Sequence, residues 1–180
     1  MKIELKNIKI NHAFSEETLM FKADVYIDGV KAAFAQNDGR GGSTFYHAHF
    51  DGKDSDLVEI RQLIHKAEAY AQSLPPIISD FGGQSFETKS DLEQIIDNLV
   101  YEFDSNKEKE KFEKKKQKSM LNHVLVGVPN GNSYSTYKYQ CPLASIPKEQ
   151  LQASIDRIKS QLKTGETILN NNLKSLGIKI

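Results

Sequence analysis

The sequence contains one cysteine, Cys141, so an intramolecular disulfide cannot form. A reducing compartment is the expected setting. It has no apolar run near the ~18 residues that a transmembrane helix requires, so no membrane partner is expected. No hydrophobic signal segment follows Met1-Lys2-Ile3-Glu4-Leu5, where apolar and charged residues alternate, and the expected location is the cytoplasm. Net charge is also missing: Lys+Arg 24 balance Asp+Glu 24, which removes any general case for nucleic-acid binding. Neither standard phosphate pattern occurs, neither the Gly-Lys-Ser/Thr ending of a P-loop nor G-x-G-x-x-G.

What is present suits one domain, or one domain with a helical appendage: 180 residues, 38% hydrophobic and 27% charged. The charge is unevenly distributed. Residues 1–100 hold 10 Lys/Arg against 16 Asp/Glu, and residues 101–180 hold 14 against 8. Lys2–Asn11 alternates as a strand with a slip in phase at Asn7, the mark of a bulge. Phe21–Ile27 alternates cleanly, Asp28-Gly29 follows, and Val30–Phe34 resumes the apolar pattern. Asp-Gly between two such runs predicts a hairpin on a type I′ turn.

Helical spacing of Leu57, Ile60, Leu63, Ile64, Ala67 and Ala71 predicts a helix from Asp54 or Ser55 to about Leu74, stopped by Pro75-Pro76. Ile77–Phe86 reads as a loop with room for a short strand. Thr88 or Ser90 is the expected cap of a second helix, whose stripe is Leu92, Ile95, Ile96, Leu99, Val100 and Phe103. Asn106–Lys118 then holds seven lysines and three glutamates with Phe112 as its one large apolar residue, the pattern of an arm that is either a projecting solvated helix or a mobile loop. Leu121–Val128 and Tyr134–Gln140 predict a second hairpin, Lys148–Lys163 a helix, and Thr167–Leu176 another. The expected fold class is α+β: an antiparallel sheet of hairpins with helices on one face, a core over 1–104, a lysine-rich arm over 105–120, and the remainder, 121–180, packed on the core.

The stretch with the most chemistry is Asn37-Asp38-Gly39-Arg40-Gly41-Gly42-Ser43-Thr44-Phe45-Tyr46-His47-Ala48-His49, a glycine-rich connection between the first hairpin and the first helix. Glycines at 39, 41 and 42 let a ligand approach the backbone, and their N–H groups beside Arg40 suggest an anion cradle. Asn37, Asp38, Gly39, Arg40, Gly41, Gly42, Ser43, Thr44, Tyr46 and His47 are the candidate ligand-binding residues. No acid, base and nucleophile come together, and a buried, structural role suits Cys141 better than a reactive one. The expectation is therefore a binding protein without a cofactor, holding a phosphate-containing, nucleotide-like small molecule. The alternative is a metal-dependent phosphodiesterase or nuclease with His47, His49 and Asp51 as ligands. A further alternative is an acidic protein or a nucleic acid bound along 106–118; homo-oligomer formation is compatible with any of these.

Tyr26-Ile27-Asp28-Gly29-Val30-Lys31-Ala32, then Asn37-Asp38-Gly39-Arg40-Gly41-Gly42, then Ala67-Glu68-Ala69-Tyr70 with Leu74-Pro75 resembles a family of small uncharacterised phage and prophage accessory proteins. The resemblance covers roughly residues 1–104. It implies no particular activity, only a context of host takeover or counter-defence, for example by sequestering a nucleotide immune signal.

Overall fold

The computed structural model describes every residue except Asp51 and Lys53, and the side chains of Asp54, Ser55 and Phe81 are also outside the described set. The chain forms two compact units, Met1–Asn106 and Lys107–Ile180. Each has its own apolar core.

The first unit is a four-stranded antiparallel meander in the order β1-β2-β3-β4: β1 (Ile3–Ile10), β2 (Phe21–Ile27), β3 (Val30–Asn37) and β4 (Phe45–Ala48). The expected turn is there, with Asp28 at φ 47° and Gly29 at φ 87°. So is the bulge, where the β1–β2 register shifts between Lys6 and Lys9 and Asn7 takes φ 54°. Strand alternation buries Phe21, Ala23, Val25 and Ile27 on one face, and Ala33 and Ala35 continue that face into β3.

Two helices cover this inner face. The first, α1 (Asp54–Gln72), brings Ile64, Ala67 and Ala71; α2 (Leu92–Ser119) brings Leu92, Ile96 and Val100 from its first turns. The small residues Ala67 and Ala71 are fully buried, which lets α1 approach the sheet closely. The cap of α2 is Asp91, not Thr88 or Ser90: its Oδ1 accepts from the Gln94 N–H at 2.8 Å, while the Ser90 hydroxyl donates to the Pro75 carbonyl. Between the helices in sequence comes a hairpin of β5 (Ile77–Phe81) and β6 (Gln84–Thr88), turned by Gly82 and Gly83 at positive φ, where the sequence suggested a loop with room for one short strand.

In the second unit, β7 (His123–Gly127) is flanked by β8 (Ser135–Lys138) and by the two-residue β9 (Thr167–Ile168). Leu151, Ile155 and Ile158 of α3 (Lys148–Lys159) complete its core together with Leu143, Leu173 and Ile178. Two expectations fail here. Thr167–Leu176 is not helical, because Thr167 and Ile168 pair with Gly127 and Val126 and the chain then turns. Buried Asn170 fixes that turn: its Oδ1 accepts from the Leu125 N–H (2.6 Å) and its Nδ2 donates to the His123 carbonyl (2.9 Å). Cys141 is exposed rather than buried, since Leu143 takes the interior position in that segment.

The lysine-rich run is helical throughout, as the later turns of α2. Lys111, Lys114 and Lys116 pair with Glu108, Glu110 and Glu113 at helical spacing, at 2.5, 3.5 and 3.1 Å. Phe112 meets the Tyr134 ring at 5.4 Å, Lys116 is half-buried, and Met120 just past the helix is buried. One face of the run therefore packs within the second unit, and that face is not solvated.

Candidate functional site

The glycine stretch is held from inside by Asn37. This side chain is 5% exposed and uses both ends. Its Oδ1 accepts from the Thr18 hydroxyl and from the Gly39 N–H, each at 2.8 Å, and its Nδ2 donates to the Gly42 carbonyl (3.0 Å) and Thr44 Oγ1 (3.1 Å). The Gly39 carbonyl in turn accepts from the N–H groups of Glu16, Glu17 and Thr18 in the β1–β2 connection. Gly39 and Gly41 have φ near +80°, and a Cβ on Gly39 would run into the Phe14 carbonyl oxygen. Gly39 thus answers a close backbone crossing, whereas Gly42 meets open space.

Two of the three glycine N–H groups of the expected cradle are taken within the fold. The Gly39 N–H is taken by Asn37, the Arg40 N–H by Asp38 Oδ1 (3.2 Å) and the Gly41 N–H by Thr18 Oγ1 (3.3 Å). The surroundings are also acidic. Thr44 is clamped by two carboxylates of α2, its N–H donating to Glu93 Oε1 (2.7 Å) and its hydroxyl to Asp97 Oδ1 (2.6 Å). Burial pushes the Asp97 carboxyl above its ordinary value; the Thr44 hydrogen bond opposes this, and Glu93 and Asp91 add to it. Arg40 and Ser43 are exposed at the surface of the loop.

Past Thr44 the chain enters β4, a fourth strand where a continuous loop was expected. Tyr46 and Ala48 face the core and Phe45 and His47 the other side. The histidine pair separates. The His47 ring lies against Phe34 at 5.5 Å, whereas His49, past the end of the strand, lines an opening with Lys31, Asp56, Glu59 and Lys66. Asp51, the third expected metal ligand, lies outside the described residues. Among the described residues neither histidine belongs to a group of three donors with converging ligand atoms.

A second set of side chains does converge. Between β4 and α1 lies a cleft of about 500 Å³ with Tyr46, Ala48, Phe50, Leu57, Arg61, Ile64, His65 and Glu68 on its walls and His47 at its border. Arg61, His65 and Glu68 sit at i, i+4 and i+7, which places them on one flank of α1. Glu68 ties the two walls together: Oε1 accepts from the Tyr46 hydroxyl at 2.8 Å, and Oε2 lies 3.0 Å from His65 Nδ1. Burial, with Glu68 beside it, pushes the Tyr46 phenol far above its ordinary value, so this hydroxyl stays a donor. Arg61 and His65 are exposed, and Phe50 is 51% exposed, leaving a guanidinium, an imidazole and an aromatic ring open at the mouth over an apolar floor of Ala48, Leu57 and Ile64. Tyr46 and His47 were legible from sequence as candidates; Arg61, Glu68 and Phe50 were not, although the i, i+4, i+7 polar flank of α1 was there to be read.

Comparison with known protein families, with curated proteins and with solved structures returned no match. Among the described residues no helix is long and apolar enough to cross a membrane. The functional argument therefore rests on the geometry of this site.

Proposed function

We propose that the protein binds and sequesters a small phosphate-containing, nucleotide-derived ligand, and that the ligand lies in the cleft between β4 and α1 rather than on the glycine stretch. The observation that carries this reading is the meeting of Arg61 and His65 with Phe50 over an apolar floor. A guanidinium offers a planar pair of donors to a phosphate, and an open ring beside it offers a face to a base. The glycine stretch has a supporting part: by fixing Thr44 on α2 it sets where β4 starts and hence where Tyr46 stands. Counter-defence by capture of a nucleotide signal, the context implied by the resemblance over residues 1–104, belongs to the same proposal.

Calorimetry against a panel of nucleotides and cyclic dinucleotides tests it. One charge-assisted phosphate contact is worth roughly 1.5–3 kcal/mol, so Arg61→Ala weakens binding about tenfold or more, and Arg40→Ala leaves it unchanged. If Arg40→Ala weakens binding and Arg61→Ala does not, the loop is the site. If nothing on the panel binds, the reading is wrong.

A further inference from the structure

The core accounts for only one face of the four-stranded sheet. The other is defined by the register. Lys9 opposes Lys22, Lys22 opposes Gln36, and Gln36 opposes Phe45, one row across all four strands. The next row runs Lys6, Asp24, Phe34 and His47, and a third holds Glu4, Tyr26 and Lys31. This face thus interleaves lysines with aromatic rings.

Its two acids are already matched. Asp24 is held by Lys31 at 3.1 Å and by Asn7 at 2.7 Å, and Glu4 by Lys2 at 2.9 Å. Lys9 and Lys22 are exposed and make no ion pair with a described acid, and Lys6 lies over the Tyr26 ring at 4.0 Å. Four of the ten Lys/Arg in residues 1–100 (Lys6, Lys9, Lys22, Lys31) belong to this sheet, although that half of the chain holds 16 Asp/Glu. The acids concentrate instead after residue 50, where ten of the 16 lie. The first unit is therefore polarised, with a basic sheet face on an acidic body. Phe45 is 68% exposed, an expensive position for a ring that covers nothing. Phe45 and His47, two residues apart on an edge strand, stand about 6.6 Å from one another.

We infer that this outer sheet face binds single-stranded nucleic acid, with Phe45 and the Phe34–His47 pair as stacking platforms and Lys9 and Lys22 as the backbone contacts. Single strands suit it better than duplex, because stacking needs unpaired bases with an open face. The surface meets the β4–α1 cleft only at His47, which borders both; strand alternation puts Phe45 on the side opposite Tyr46 and Ala48, and neither Lys9 nor Lys22 lines the cleft.

Fluorescence anisotropy with a labelled oligothymidylate and a labelled oligouridylate, on the full chain at low salt, tests the inference. Phe45→Ala lowers affinity on the order of 10- to 100-fold. Lys9→Glu with Lys22→Glu lowers it further and makes the log–log salt dependence shallower by about 1.4, at ~0.7 per phosphate contact on a single strand. Both changes are at exposed positions, and unchanged thermal melts show the fold is kept. Arg61→Ala leaves oligonucleotide binding as it is, which separates this surface from the cleft. The inference is overturned if no oligonucleotide binds, if duplex competes as well as single strand, or if binding survives Phe45→Ala and the double charge reversal.

Discussion

Replacing Asn37 by alanine tests whether the glycine stretch is a packed crossing rather than a free loop. The substitution removes four hydrogen bonds, from Thr18 Oγ1 and the Gly39 N–H and to the Gly42 carbonyl and Thr44 Oγ1. A net ~1 kcal/mol for each would total about 4, while water entering the vacated space would restore part of it. The Gly39 N–H points into the interior and has no other described acceptor, and an orphaned buried donor costs roughly 1–3 kcal/mol by itself. The expected loss is about 3 kcal/mol, more than a hundredfold in the folding equilibrium. Thr18→Ala removes one of the same bonds and the acceptor of the Gly41 N–H, for about 1 kcal/mol. The two effects share a bond, so the double variant should fall short of their sum by at least ~0.5 kcal/mol. Urea unfolding followed by circular dichroism and by tyrosine emission gives all three values, the latter unmasked because the chain has no tryptophan. Hydrogen exchange adds a local reading, since the Gly39 amide should lose its protection in Asn37→Ala. A loss below about 1 kcal/mol, or strict additivity with Thr18→Ala, refutes the packed crossing.

Gly39→Ala, at φ 83° and against the Phe14 carbonyl, should destabilise by more than about 2 kcal/mol, while Gly42→Ala, which meets open space, should stay within ~0.5 in the same urea titration. Asp97 has a folded-state pKa above 3.8, so its contribution to stability is full below that value and is lost as pH rises through the raised one. Asp97→Asn keeps an acceptor for Thr44 and should therefore be at least as stable as the parent at pH 7, the advantage vanishing on acidification; a variant clearly weaker at neutral pH would contradict this. Asn170→Ala, at a 2% exposed position, leaves the Leu125 N–H without its acceptor and should cost about 2–4 kcal/mol by denaturant unfolding. Phe112→Ala should lower stability by roughly 0.5–1.5 kcal/mol beyond its lost area through the Tyr134 pair, where a solvated arm would show no change.

The parts of this fold legible in the sequence are those in which a single local pattern decides. Period-2 alternation gave β2 and β3, Asp28-Gly29 gave their turn, and the slip at Asn7 gave the bulge, because each needs only neighbours along the chain. β4 escaped notice since Phe45–Ala48 is four residues long and one of its faces holds Tyr46 beside Ala48, too short a run to show a period. The helical reading of Thr167–Leu176 failed for a related reason: a buried asparagine that satisfies the backbone of a distant strand looks the same in sequence as a surface one. The same ambiguity governs the glycine stretch. Glycines at positive φ with hydroxyls and an asparagine nearby serve an anion cradle or a tight crossing of two connections, and what separates the two is whether Thr18, Glu93 and Asp97 arrive from elsewhere in the chain to take the hydrogen bonds. Local spacing cannot report such arrivals. It could report Arg61, His65 and Glu68, whose separation places them on one helical flank, but not the partner that makes the flank a wall: the Tyr46–Glu68 hydrogen bond joins residues 22 apart. A site made by one element facing another becomes visible only once β4 is placed, and β4 is placed by the buried Thr44 at its entrance.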